Sequence, residues 1–453
     1  MKKFLVFLSM LAITATAFAQ EEAKKGPEFK YSVGANAFAV TEQTQKEDEY
    51  KDYSAIRLRP TFSVSNENVK VVTTFEIDQF FGSGGSTTVG GNGSAANSGY
   101  ADADTDQIAV EVKSAYINVT DMFVPGLSVT AGLAPYVYSI GFNNDMPLFN
   151  LVYDAGVAKL DLAFVKVEEN DLTEKSAKTA AADPVKDTDD VYMYSAKLPV
   201  KLGILTLAPS FLYARGEAQN VATTPVFVDA DNPTIAELET FYAEIGNGGE
   251  FKKYMPAVSL TVKDEMFSVQ GDFVYIKGEN KTYDDVKYKA YAGFLNIGVK
   301  ASDMFSVNVF GLYSTGQKNS EDVTSFQALC GDEIEVGTMF IINDGGLINS
   351  VGISNEFDKA YEGLSMAGIS ATVKVDKLTA LLQVAYAKTS SDDIIEETAI
   401  GTECDIRLSY EVAPKTSVWA EGAYLFSGKY LEERNATYED DPYYYAAGIV
   451  TSI

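Results

Sequence analysis

The stretch that decides the fold is Tyr53–Ser65, YSAIRLRPTFSVS, followed after Asn66-Glu67-Asn68 by Val69–Asp78, VKVVTTFEID. In the first run Ile56, Leu58, Phe62 and Val64 share one parity, while Arg57, Arg59, Thr61 and Ser63 share the other. In the second, Val69, Val71, Thr73, Phe75 and Ile77 alternate with Lys70, Thr74, Glu76 and Asp78. A period of two is the signature of a strand that shows one face to an apolar medium and the other to a polar one. Two such runs joined by a short polar turn form an antiparallel hairpin.

Working outward, the same grammar fills the chain. It continues through 107–119 and 127–138, through 191–198 and 204–214, and on to the final segments 403–412, 417–426 and 443–453. Eighteen segments can be read; those at 147–153 and 157–167 are weakly patterned, so sixteen remains open. The connections sort by length. Short turns such as 66–68, 120–126 and 199–203 alternate with long polar stretches at 82–106, 168–190, 215–252 and 315–362. An even strand number with short turns on one side and long loops on the other predicts an all-β fold: a transmembrane antiparallel β-barrel of 16–18 strands. Ten residues at ~3.4 Å, tilted ~45°, rise about 24 Å, the height of the apolar band of such barrels. Closure satisfies every backbone donor and acceptor, which an open sheet in lipid could not do.

Composition narrows the functional classes. The chain has 453 residues, 46% hydrophobic and 12% aromatic, with 36 basic against 64 acidic residues and a net charge of -28. That excess of negative charge excludes nucleic acid as a partner. Histidine is absent, which removes Ser-His-Asp and Cys-His catalysis and histidine-held zinc or haem; no catalytic residue and no cofactor is implied. Residues 1–19 have the three parts of a secretory signal: Lys2 and Lys3, an apolar run from Phe4 to Ile13, and Ala17-Phe18-Ala19. Cleavage there leaves residues 20–453 as one exported barrel domain. Export permits a disulfide between the two cysteines, Cys330 and Cys404, although each also reads as an unrelated small apolar residue.

The charged strand faces carry the candidate site. An arginine facing lipid near the bilayer midplane costs roughly 2–4 kcal/mol, so the charged faces must look inward. In 403–412 the apolar face is Ile406, Leu408, Tyr410 and Val412; the other carries Asp405, Arg407, Ser409 and Glu411. The expected pore lining is therefore Arg57, Arg59, Lys70, Glu76, Asp78, Glu111, Lys113, Asp405, Arg407 and Glu411. Barrel closure brings the strands of Arg407 and Arg57 within a few positions. Arg57, Arg59 and Arg407 then form a basic wall facing Glu76, Asp78 and Glu111, or else simply neutralise adjacent carboxylates. The segment 235–245, with Ile235, Leu238, Phe241, Tyr242 and Ile245 on one helical face, either narrows the mouth or packs among the outer loops. Acidic runs at 168–190, 392–397 and 439–441 read as hydrated surface or as cation bridges to lipopolysaccharide phosphates. Asp102, Asp104 and Asp106 have calcium-loop spacing, but Gln107 replaces the turn glycine and Lys113 the bidentate glutamate, so no metal site is assigned.

Residues 56–59 (IRLR), 75–77 (FEI) and 110–117 (VEVKSAYI) resemble the opening strands of the outer-membrane homotrimeric porins, and 190–194 (DVYMY) before Leu198-Pro199 resembles a later strand and turn. The resemblance covers roughly the first half of the chain. It implies a passive, sixteen-strand, trimeric pore for small hydrophilic solutes in the bacterial outer membrane, with lipid and lipopolysaccharide around it. Two departures stand out: the chain ends in Ile453 where porins end in an aromatic residue, and the connection after the fifth strand, where porins place a constriction loop, is short. The rival reading is a surface barrel whose long loops serve adhesion.

Overall fold

The computed structural model describes residues 26–43, 50–82, 109–121, 123–140, 142–168, 191–216, 250–281, 286–318, 322–326, 339–342, 363–391, 397–434 and 441–453. The secretory signal, Cys330, the triad Asp102 to Asp106 and the segment 235–245 lie outside these residues.

Within them the chain is an antiparallel meander. Its strands are β1 (Glu28–Gln43), β2 (Tyr50–Asn66), β3 (Val69–Gly82), β4 (Ala109–Thr120), β5 (Leu127–Ser139) and β6 (Phe142–Asp154). Then come β7 (Lys159–Glu168), β8 (Val191–Lys197, resumed at Val200–Leu202), β9 (Leu205–Gly216), β10 (Phe251–Lys263), β11 (Phe267–Asn280) and β12 (Val286–Ser302). The last are β13 (Phe305–Ser314), β14 (Leu364–Val375), β15 (Leu378–Thr389), β16 (Ala399–Ala413), β17 (Thr416–Ser427) and β18 (Tyr443–Ser452), with a short helix α1 (Lys429–Arg434) before β18. The two pieces of β8 both pair with β9 and are interrupted at Leu198-Pro199, where proline removes a ladder donor. Counted so, the strands number eighteen.

Each strand pairs with its sequence neighbours, and β1 pairs with β18 from Gly34↔Ser452 to Gln43↔Tyr443. Val33 and Ile453 exchange both backbone hydrogen bonds at 3.0 Å. The sheet is thereby closed, and its termini meet at one end of the cylinder. At that end every connection is short: 67–68, 121–126, 155–158, 203–204, 264–266, 303–304, 376–377 and 414–415. Positive φ at Gly126, Gly203, Asp376 and Lys415 sharpens several of them. The opposite end carries the long connections, together with short ones at 44–49, 140–141 and 281–285.

Eighteen strands settle the alternative left open by the sequence, because 147–153 and 157–167 both belong to the wall. Phe142–Asp145, expected as part of a connection, opens β6; its polar FNND pattern hides the strand. Outward faces are apolar as expected: Ile406, Leu408, Tyr410 and Val412 are all exposed, as are Ile56 and Phe62. Aromatic belts mark both rims. Toward the loop end Phe164, Tyr194, Tyr213 and Tyr254 stand side by side across β7–β10, with centroid spacings of 5.2, 6.2 and 5.2 Å. Toward the turn end Phe29, Phe62 and Phe75 form a second group at 6.4–6.5 Å.

Candidate functional site

The inward faces divide into two zones. Toward the turn end they are polar: Ser259 and Thr261 on β10, Gln270 on β11, Asn308 on β13, Ser370 and Thr372 on β14. Toward the loop end they carry Met193, Leu212, Met255, Val274, Ile276, Phe294 and Leu312, all buried. The expectation of a polar interior therefore holds for only part of the bore. The apolar zone is covered from inside by chain that folds into the barrel, and burial of that surface is what holds the infolded parts.

Among the described residues the β5–β6 hairpin and Met339–Ile342 do this. The first is the β5–β6 hairpin. β5 pairs with β4 only from Ser128 to Leu133, and β6 pairs with β7 only from Leu148 to Asp154. Beyond those residues the two strands stay paired to each other, down to Ser139↔Phe142, but leave the wall. Gly132, at φ +126°, is the bend; a Cβ there would lie 2.3 Å from the Ala115 carbonyl oxygen. Only glycine permits that geometry. Pro135 and Pro147 fall in the departing part, where each strand has one paired neighbour and a missing N–H costs no ladder bond. The tip reaches β8–β11. Tyr136 hydrogen-bonds Ser195, and the Tyr138 hydroxyl donates to the Met255 carbonyl. Ser139 donates to Asp272 at 2.8 Å, and Lys197 donates to the Val137 carbonyl at 3.1 Å. The connection after the fifth strand is short because the strands themselves fold inward.

The second element is Met339–Ile342, from the connection between β13 and β14, whose four side chains are fully buried. The backbone N–H groups of Phe340, Ile341 and Ile342 donate to the Glu403 carboxylate at 2.8, 2.6 and 2.8 Å. Phe340 N–H also reaches Asp405 at 3.2 Å, and Gln383 donates to the same carboxylate oxygen at 2.7 Å. The Arg407 guanidinium lies 4.5 Å from the Phe340 ring centroid, and its Nε donates to Glu421 at 2.7 Å. Tyr444 donates to the other Glu421 oxygen at 3.3 Å.

The remaining charged candidates form one ladder on β2–β4. Arg57 holds Asp78 with two hydrogen bonds, 2.9 and 3.0 Å, and lies 3.6 Å from Glu76. Arg59 donates to Glu76. Lys113 approaches Glu76 at 3.9 Å and Asp145 on β6 at 3.4 Å. Arg57, Arg59, Glu76, Asp78, Glu111 and Lys113 are thus neighbours on one wall. Of the two readings left open for Arg57, Arg59 and Arg407, the contacts are those of cations beside adjacent carboxylates, because in a meander neighbouring strands carry the partners. Arg407 stands apart, four strands away through β17, β18 and β1, as closure required. Lys70 and Glu411 lie exposed near the turn end, away from both groups. Of the ladder cations Arg59 keeps the most open side chain, at 43% exposure.

Cys404 faces outward, opposite Val384 on β15 and Tyr424 on β17. Glu403, Gln383, Glu421, Gly132 and Met339–Ile342 were not among the sequence candidates. The glycine and two prolines inside β5 and β6 were the available signal for the hairpin. The apolar run Met339-Phe340-Ile341-Ile342 inside an otherwise polar connection was the available signal for the second element.

No protein-family model matches the chain, and no curated protein matches it. Solved structures do. OpdK of Pseudomonas aeruginosa, solved with vanillate, superposes with a TM-score of 0.54 at 9% identity, covering 94% of this chain and 98% of that one. OpdQ of the same organism gives 0.53 at 11%, covering 94% and 99%. OccAB4 of Acinetobacter baumannii gives 0.52 at 10%, covering 94% and 98%. This chain is similar in fold to those barrels over nearly their whole length, and the sixteen-strand count implied by the sequence resemblance gives way to eighteen.

Proposed function

We propose that the protein is an outer-membrane, porin-like channel through which small hydrophilic solutes or ions diffuse passively. One observation carries this reading: a closed eighteen-strand cylinder with an apolar skin between two aromatic belts encloses paired charges and polar side chains. Such a cylinder is stable only where lipid surrounds it. Outer-membrane lipid and lipopolysaccharide are the surroundings this implies. The infolded hairpin and the segment at Glu403 narrow the bore, and the Arg57–Glu76–Lys113 ladder lines it.

Adhesion through the outer loops is the lesser reading, since elements packed inside the barrel serve passage and not contact with another cell. The trimeric assembly implied by the sequence resemblance is tested by cross-linking the purified protein in detergent.

The purified protein should migrate heat-modifiably on a gel and give discrete conductance steps in a planar bilayer. A folded, heat-modifiable protein that leaves the bilayer silent and vesicles impermeable to sugars would overturn the channel.

A further inference from the structure

Four lysines occupy equivalent places at the turn end. Lys201, Lys263, Lys300 and Lys374 each follow a valine and lie near the ends of β8, β10, β12 and β14. Their backbone N–H groups donate to carbonyls of the preceding hairpin turns, those of Val157, Ile204, Met266 and Met304, at 2.8, 3.1, 2.7 and 2.8 Å. Across the ladder each faces a hydroxyl residue: Thr206, Ser268, Ser306 and Thr379. On β4, β6, β16 and β18 the same place holds Thr120, Asp154, Glu411 and Ser452. At this place the cations are therefore confined to one arc of the rim.

Their parity is inward. Lys263 lies two residues beyond Thr261 and Lys374 two beyond Thr372, both on the lumen face, and Lys300 lies two beyond Gly298. A cavity of about 520 Å³ opens on this arc, and every residue that lines it is among the described ones. Lys263, Lys300 and Lys374 border it, with the polar side chains of Ser268, Ser306 and Asn308 between them. Gly298 makes the room: a Cβ there would lie 2.5 Å from Asn308 Oδ1 and 2.7 Å from Ser268 Oγ, so two polar side chains converge over bare backbone. Asp264, Glu265 and Asp303 stand on the turns at the outer lip. Asp303 is 94% exposed and holds Lys300 at 2.6 Å; among the described residues Lys263 and Lys374 form no ion pair. Acids on the turns and lysines on the lumen face turn the positive side of the cavity toward the bore.

We propose that Lys263 and Lys300, with Ser268, Ser306 and Asn308 around Gly298, bind the phosphate group of a solute at the turn-end exit of the bore. The assignment rests on the channel reading above and names the anionic group of the solute. Lys263 and Lys300 stand two strands, about 10 Å, apart across the sheet, and their flexible four-carbon stems converge on a group held between them. The chemistry favours phosphate. A carboxylate is matched by the planar fork of arginine, and no arginine lies on this arc. Lysine is a point charge suited to a tetrahedral dianion with several acceptor oxygens, and the hydroxyl and amide groups supply the remaining donors.

The test uses the full-length protein in detergent, with glucose 6-phosphate as the probe and glucose and glucuronate as controls. Titration calorimetry should show binding of glucose 6-phosphate, about tenfold weaker binding of glucuronate and none of glucose. Inorganic phosphate should compete with glucose 6-phosphate. Lys263→Gln together with Lys300→Gln should weaken that binding about tenfold or more, whereas Lys30→Gln with Lys415→Gln, which removes the same charge from the turn end, should leave it unchanged. Asp303→Asn, which frees Lys300, should tighten it several-fold, and this variant decides the matter should the double lysine variant fail to fold. No binding of glucose 6-phosphate, equal binding of glucuronate, or an affinity unmoved by K263Q/K300Q or by D303N overturns the site. A parent protein that binds glucose 6-phosphate in detergent yet never conducts in a planar bilayer would count against the channel and leave the site standing, so the two failures are distinguishable.

Discussion

Glu403 accepts the backbone N–H of Ile341 at 2.6 Å across a sequence separation of 62 residues. With the flanking bonds from Phe340 and Ile342, one carboxylate on the barrel wall holds three consecutive amides of a segment from another connection. All are buried, so the acceptor cannot be replaced by water while the segment stays in place.

Glu403→Ala should therefore release 339–342. Each abandoned buried N–H costs about 1–3 kcal/mol, which offsets much of the roughly 1.5–3 kcal/mol that burial of each apolar side chain of the segment contributes. The expected result is larger single-channel conductance with added current noise. Glu403→Gln, which keeps one acceptor oxygen, should fall between. Conductance indistinguishable from the parent would show that the segment does not narrow the bore.

Gly132→Ala places a methyl group against the Ala115 carbonyl and forces a side chain into φ +126°. Strain of this kind costs about 1–3 kcal/mol. Urea unfolding in detergent should show a lower midpoint, with Gly298→Ala informative beside it: there the nearest atoms are the Asn308 and Ser268 side chains, which can move.

Arg407→Ala and Arg59→Ala should separate stability from selectivity. Glu421 is fully buried at its Arg407 contact, so removing the arginine strands a buried charge at a cost of about 3–5 kcal/mol. Arg59 is 43% exposed, and its loss should cost at most about 1 kcal/mol. It uncovers Glu76, so the reversal potential in a salt gradient should shift toward cations. An unshifted potential would mean that the ladder neutralises itself without selecting ions.

Cys404 shares the outward face with Val384 and Tyr424. In the folded protein it should react with a lipid-soluble maleimide and resist a water-soluble one. Resistance to both, followed by reaction only after reduction and unfolding, would point to a bond with Cys330.

The alternation of Tyr53–Ser65 and its repeats was enough to establish strands, their number to within one hairpin, the side bearing the turns and which face of each strand looks outward. These properties are set locally: a strand whose polarity alternates every residue has one way to sit between lipid and water, since a one-residue slip reverses every side chain. Closure through β1 and β18 was likewise legible, because an open edge in lipid leaves backbone groups unpaired.

What the interior does was decided by tertiary structure. Arg57 and Asp78 pair through the register of the β2–β3 hairpin, whereas Lys113 meets Asp145 only because β6 folds inward past β4. The hairpin bend depends on Gly132 meeting Ala115, and the infolded segment depends on Glu403 meeting amides from a distant connection. Contacts of that range leave no period in the sequence, since their energy exists only after the wall has closed around them.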